Sequence, residues 1–154
     1  MRWLLMAVTL LAAGCGFHLK GSHALPDELR TLSLSSFDRY ARATVLVREQ
    51  LERGGATLGA SGPQVHLIRD KLDRQTLSLF ASGQVAEYEL IYTLDWQLIR
   101  PEAEPLDFQV EVRRDYQDDP TRTLAKDRER QLLLEEMRRE AASRLLAQLS
   151  QQGR

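Results

Sequence analysis

Residues 85–100 constrain the fold more than any other part of the chain, because apolar and polar side chains alternate there over sixteen positions. Successive side chains of a β-strand point to opposite faces of its sheet, so the pattern predicts a long strand with one buried and one wet face. Ile91 and Ile99 are the exceptions on the wet face. The side chains predicted to be buried are Ala86, Tyr88, Leu90, Tyr92, Leu94, Trp96 and Leu98.

Further strands are predicted wherever the same period of two recurs. Residues 31–35 and 108–112 alternate cleanly, whereas residues 65–80 indicate one long interrupted strand or two short ones. Gly83 breaks the pattern between this segment and the long strand, and a turn there makes the two a hairpin.

Two helices are predicted from apolar side chains spaced three or four residues apart. The first is capped by Ser36 or Asp38 and ends at Gly54. The second starts at Asp119-Pro120 and runs for about 30 residues with one apolar stripe, so it must lie along another element. The fold class is therefore α+β: two α-helices packed on one face of a roughly four-stranded, mainly antiparallel sheet. The stripe of the second helix comprises Leu134, Met137, Ala141, Leu145 and Leu149.

The first residues indicate export and lipid attachment. Arg2 precedes an uncharged run over 3–14 that is too short to span a bilayer as a helix but fits a secretory signal peptide. The run ends Ala12-Ala13-Gly14-Cys15, which resembles the bacterial lipobox, although a lone cysteine can also be a small buried apolar residue. The sequence thus predicts a signal peptide over 1–14, a lipidated N-terminus and tether over 15–27, and one domain over 28–154. No Asp follows Cys15, which favours the outer membrane.

Composition argues against several classes of function. A net charge of −1 gives no whole-chain basic footprint for nucleic acid, and one cysteine with three histidines offers no metal-ligand set. Glu87 and Glu89 share one strand face, where solvated charges are commoner than an acid/base pair, and His66 is expected on a wet strand face. We therefore expect no catalytic residues, no metal and no cofactor beyond the covalent lipid on Cys15.

A basic cluster near the start of the second helix is the one candidate binding site. It comprises Arg122, Lys126, Arg128 and Arg130. Ammonium and guanidinium groups pair with phosphate oxygens, so the cluster can hold a phosphorylated ligand. The alternative is a solvated helix face, because acidic residues are interspersed with these cations.

Three motifs, in order along the chain, resemble one family of bacterial envelope proteins. The segment 14–19 reads Gly-Cys-Gly-Phe-His-Leu, the segment 83–88 reads Gly-Gln-Val-Ala-Glu-Tyr, and the segment 124–127 reads Leu-Ala-Lys-Asp. Together they resemble the lipopolysaccharide (LPS)-assembly lipoprotein family LptE.

This resemblance implies a non-enzymatic function. It implies an outer-membrane lipoprotein that faces the periplasm, plugs the lumen of the LPS-assembly β-barrel LptD, helps to assemble it, and takes part in delivering LPS to the outer leaflet. It also implies LPS binding, with the family's basic residue at Lys126. A second basic residue of the family falls on Ala81 here, and Arg74 or Lys71 can substitute for it. The alternative is a generic periplasm-facing lipoprotein that binds a ligand or another envelope protein without the barrel.

Overall fold

The computed structural model describes residues 25–153 except 118, 120 and 121. The predicted signal peptide, Cys15 and the tether before Leu25 lie outside the described residues. After a single 3-10 turn at Asp27–Leu29, the strands are β1 (Thr31–Ser36), β2 (Thr57–Leu58), β3 (Gln64–Leu79), β4 (Val85–Ile99) and β5 (Leu106–Gln117). The helices are α1 (Arg42–Arg53), between β1 and β2, and α2 (Thr123–Ser150), after β5.

The strands form one sheet in the order β2-β1-β3-β4-β5. The pairs β3–β4 and β4–β5 are antiparallel, whereas β1 is parallel to both β2 and β3. The predicted α+β class is confirmed, with a fifth strand of two residues that is too short to show an alternating pattern. Residues 64–79 form one continuous strand, and the hairpin to β4 turns at Gly83, whose φ is +83°.

Both helices pack on the face of the sheet that the sequence predicts to be buried. Leu90, Tyr92, Leu94, Trp96 and Leu98 are all buried, in agreement with the alternation. Trp96 stacks on Phe108 of β5 with ring centroids 4.4 Å apart. The apolar stripe of α2 completes this core with Met137, Ala141, Ala142, Leu145, Leu146 and Leu149.

An irregularity in β3 changes which of its side chains face the helices. The pairing with β4 shifts register between Leu67 and Arg69. Before the shift, Val65 and Leu67 lie in the core, whereas beyond it Asp70 pairs with Leu94 and so faces the helices. An extra residue in one strand reverses its alternation, and a carboxylate is thereby brought to the covered side.

Both predicted helix starts are wrong in detail. Helix α1 has Ala41 at its N-cap without a side-chain cap, because the Asp38 carboxylate accepts the Tyr40 backbone N–H (2.8 Å) in a turn before the helix. Helix α2 has Arg122 at its N-cap, and the backbone carbonyl of Asp119 accepts the Arg122 N–H in a preceding turn. Pro120 lies outside the described residues.

Candidate functional site

Two tyrosines at one end of the sheet carry two cations. Tyr88 and Tyr116 are directly opposite each other on β4 and β5. The guanidinium of Arg74 lies 4.2 Å from the centre of the Tyr88 ring, and the ammonium of Lys126 lies 5.2 Å from that of Tyr116. A cation over an aromatic face is attracted by the ring quadrupole. We call these four residues the tyrosine platform.

Lys126 is held in place by β5 through its backbone and by α2 through its side chain. The Tyr116 hydroxyl donates to the Lys126 carbonyl (3.0 Å), and the Lys126 ammonium donates to Glu129 (2.9 Å). The hydrogen bond to Glu129, together with the charge of that carboxylate, raises the pKa of Lys126 above its ordinary value. Lys126 is therefore a fixed positive charge, and its side chain is only 19% exposed.

The other three residues of the predicted basic cluster divide between two sides of α2. Arg130 is four residues from Lys126 and shares its side, and it pairs with Asp127 (3.0 Å). Arg122 lies just before the helix, 3.9 Å from Asp119. Arg128 is two residues from Lys126, which is about 200° around the helix axis, so it lies on the other side.

Arg128 instead belongs to an exposed stripe with two leucines. Leu124, Arg128 and Leu132 follow at intervals of four along α2, and the leucines are 79% and 67% exposed. The hairpin that joins β3 to β4 exposes three more apolar side chains, Leu77, Leu79 and Phe80. Exposed apolar side chains beside cations provide contacts for an amphiphile with anionic groups.

Of the two possible substitutes for the cation missing at Ala81, the structure puts Arg74 on the platform and Lys71 on the opposite face. Lys71 pairs with Thr93 across the open side of the sheet, and its ammonium lies 2.8 Å from Asp73. Arg74 pairs with Leu90, whose side chain is in the core. Which of the two faces the helices depends on the register shift in β3, which leaves no mark in the sequence.

The open face of the sheet is a network of polar side chains. Asp95 accepts hydrogen bonds from Gln109 (2.8 Å) and Arg69 (2.6 Å), which hold the pKa of Asp95 below its ordinary value. Farther along, Arg113 bridges Glu89 and Glu111. The acidic and basic side chains of the open face therefore pair with one another within the sheet.

The remaining candidates for chemistry have structural partners. Glu87 accepts from Ser78 (3.0 Å) and Gln117 (3.3 Å), and Glu89 accepts from Arg113 (2.9 Å), so both carboxylates are paired within the sheet. His66 Nδ1 lies 2.7 Å from the Ser35 hydroxyl on the neighbouring strand. Among the described residues there is no group of three His, Cys, Asp or Glu side chains that can hold a metal ion. No helix in the same part of the chain is long and apolar enough to cross a bilayer.

A paired polar face, two helices on the other face and a cationic-aromatic platform characterise this α+β domain. Comparison with known proteins identifies its kind. Residues 29–149 match the model of the family described as LptE, lipopolysaccharide-assembly. The chain belongs to this family of LPS-assembly lipoproteins, which are assembly proteins and not enzymes.

Individual relatives support the same assignment. The LPS-assembly lipoprotein LptE of Photorhabdus laumondii is 37% identical over 95% of this chain and 82% of its own length. That of Pectobacterium atrosepticum is also 37% identical, over 91% and 79%. The crystal structure of rare lipoprotein B from Shewanella oneidensis is 46% identical with a TM-score of 0.72, covering 79% of this chain and 94% of that one. A lipoprotein B structure from Nitrosomonas europaea, 23% identical with a TM-score of 0.71 over 90% of this chain and 94% of its own, shares the fold.

Proposed function

We propose that this lipoprotein plugs and helps to assemble the LPS-assembly β-barrel LptD at the outer membrane, and that it binds LPS during delivery to the outer leaflet. Family membership supports a role in LPS assembly. The observation that supports LPS binding is the tyrosine platform. Lipidation at Cys15 holds the domain at the membrane and raises its effective concentration near the barrel.

The platform suits LPS because LPS combines phosphates with acyl chains. Arg74 and Lys126 are the two cations of the platform, Arg130 adds charge on the same side of α2 as Lys126, and Arg122 adds charge just before the helix. The two cations lie over the rings of tyrosines that are opposite each other on neighbouring strands, which suits a ligand with two anionic groups. The exposed apolar side chains Leu77, Leu79 and Phe80 are the proposed contact for acyl chains, because Leu77 lines the same cavity as Lys126.

The open face of the sheet suits the lumen of a barrel. Interiors of outer-membrane barrels are polar, and a plug must present polar groups to them without burying unpaired charge. The Arg69–Asp95–Gln109 and Glu89–Arg113–Glu111 groups meet that requirement because each charge has a partner within this chain. A generic ligand-binding lipoprotein remains the alternative, and it needs no barrel.

A pull-down from outer membranes tests the barrel partner. The chain carries a C-terminal tag and is extracted in mild detergent, and the proteins that elute in near one-to-one ratio are identified. We expect the LptD barrel. A matched variant, Glu89→Lys with Glu111→Lys, leaves Arg113 unpaired on the open face and should lower recovery of the barrel. Elution of the chain alone, or with a different protein, contradicts the plug and supports the alternative.

An affinity measurement tests the LPS site. We expect Lys126→Gln and Arg74→Gln each to weaken binding of purified LPS about tenfold, because a hydrogen bond to a charged group contributes about 1.5–3 kcal/mol. Arg53→Gln is the matched control, since Arg53 is an exposed arginine of α1 that pairs with Glu49. Equal affinities for folded Lys126→Gln and Arg53→Gln variants would remove the platform from the site.

A fractionation experiment tests the anchor. Cys15→Ala removes the proposed site of lipidation, so we expect no incorporation of a labelled fatty acid and release of the domain from membranes that lack the barrel. Label that still appears on the Cys15→Ala chain would refute the lipobox.

A further inference from the structure

The outer edge of β5 is shielded by two side chains of α2. Strand β5 lies at one end of the sheet, and among the residues that the structure describes only β4 pairs with it. Arg144 Nη1 donates to the Glu111 carbonyl (2.5 Å), and Gln148 Nε2 donates to the Gln109 carbonyl (3.1 Å). An unpaired strand edge is a template for another strand, and proteins protect such edges.

The Gln109 and Glu111 carbonyls belong to residues whose backbone groups point away from β4, toward the free edge. In an antiparallel pair, the N–H and C=O of one residue point to the same side, and successive residues alternate. Because the Gln109 and Glu111 carbonyls accept bonds from α2, the odd-numbered residues of β5 present their backbone groups to the free edge. A strand added here would pair with residues 107, 109, 111, 113, 115 and 117.

The order of charges along this edge is complementary to itself. If a second copy of β5 pairs antiparallel about a two-fold axis at Val112, Glu111 lies opposite Arg113 of the other copy. Gln109 then lies opposite Asp115, and Asp107 opposite Gln117. An axis at Glu111 or Arg113 places like charges face to face, which disfavours those registers. An axis at Arg114 also places Arg113 opposite Asp115, but it pairs only residues 111–117, whereas the axis at Val112 pairs all six edge residues from 107 to 117.

We propose that the β5 edge is a self-pairing surface for a second copy of this chain, and that Arg144 and Gln148 keep it closed. Their bonds occupy the two acceptors that the partner's Arg113 and Asp115 N–H groups need. Arg144 is half exposed and is otherwise paired with Glu140, so its removal frees the Glu111 carbonyl at little cost to the core. The Arg113 carbonyl at the same edge accepts Arg114 Nη1 (2.7 Å) from within β5. Gln148 also accepts the Trp96 indole N–H (3.1 Å), so Arg144 is the cleaner residue to change.

Disulfide trapping tests this proposal with the purified full chain in detergent micelles. Gln109→Cys and Asp115→Cys are introduced together, because a hydrogen-bonded antiparallel pair has Cα atoms about 5.5 Å apart, within the range of a disulfide. Within one chain these positions are about 20 Å apart along the strand, so only two copies can be linked. Copper-phenanthroline and oxygen oxidise the thiols.

We expect little cross-linked protein when Arg144 is retained and at least fivefold more with Arg144→Met, which keeps the aliphatic stem but cannot donate. The product should be a closed dimer. Adding Glu111→Lys should abolish it, because two cations then oppose each other. Arg139→Met is the matched control, since Arg139 is an exposed α2 arginine that pairs with Glu135.

The proposal is overturned if the protein with Arg144 and the Arg144→Met variant cross-link equally. Both must keep the near-ultraviolet circular dichroism of the native fold. A ladder of higher oligomers that persists with Glu111→Lys also overturns the proposal, because it reports unspecific association. Arg144→Gln, whose shorter side chain does not reach the carbonyl, is the second variant should Arg144→Met lose the native spectrum. The cross-linking yield of that variant, with and without Glu111→Lys, then tests the proposal in the same way.

Discussion

Tyr92→Phe removes one hydroxyl from the core and tests the polar contact that the register shift in β3 creates. Tyr92 is 1% exposed, and its hydroxyl donates to Asp70 Oδ2 at 2.9 Å. Burial, reinforced by the negative charge of Asp70, raises the pKa of Tyr92, so the hydroxyl is protonated and donates throughout the physiological range. Arg138 lies 3.9 Å from the same carboxylate.

The expected loss follows from what the substitution leaves behind. A hydrogen bond to a charged acceptor contributes about 1.5–3 kcal/mol, and the ring itself stays in place. The Asp70 side chain is 20% exposed, so water can replace part of the lost bond. We therefore expect Tyr92→Phe to lower the free energy of unfolding by about 1–2 kcal/mol, which corresponds to a fall in Tm of about 3–8 °C for a domain of this size.

Urea unfolding, followed by far-ultraviolet circular dichroism, measures the loss, and a double-mutant cycle with Asp70→Asn assigns it. If Tyr92 acts through Asp70, the two substitutions together cost clearly less than the sum of their separate effects. Strict additivity, or a Tyr92→Phe protein as stable as the parent, would refute the reasoning that this carboxylate is held on the covered face by Tyr92.

Three further outcomes are expected. Gly62→Ala should destabilise more than Gly83→Ala in thermal unfolding, because both have positive φ but a Cβ at 62 would lie 2.7 Å from the Thr31 carbonyl oxygen. Glu129→Gln should tighten LPS binding, measured as a lower Kd, because it frees Lys126 from its carboxylate partner; an unchanged Kd argues against phosphate contact by Lys126. The bond from Arg42 lowers the pKa of Glu135 in the folded state. The stability that this bond contributes is present above the unfolded pKa of about 4.3 and is lost as pH falls through the lower folded pKa of Glu135. Glu135→Gln should therefore flatten the dependence of Tm on pH between 6 and 3. An unaltered slope would contradict this.

Much of the fold could be predicted because its elements are long and strongly patterned. The alternation over 85–100 gives the strand and its buried face, and the stripe from Leu134 to Leu149 gives the second helix. The helix starts could not be predicted, since Asp38 and Asp119 can satisfy backbone N–H groups in turns as readily as in caps. The two-residue strand β2 was missed because Thr57–Leu58 is too short to carry a period.

The candidate site, too, could be predicted only in part from the sequence. Lys126 was found through a motif and a basic cluster that are local in sequence. Its aromatic partner Tyr116 and the second cation, Arg74, come from two other strands, and their meeting depends on the β3–β4–β5 register. The edge contacts of Arg144 and Gln148 are likewise formed between residues more than 30 positions apart.

The helices, the long strands, the buried face and the family could be predicted from the chain alone, because hydrophobic periodicity and short motifs act over a few neighbouring residues. The strand order, the parallel pairing of β1, and the choice of β3 side chains that face the helices depend on contacts between distant segments. One extra residue at the irregularity of β3 reverses the direction of every side chain after it until the next irregularity. That reversal brings Asp70 to Tyr92 and Arg74 to Tyr88, and it depends on how two strands pair and not on the pattern of either one.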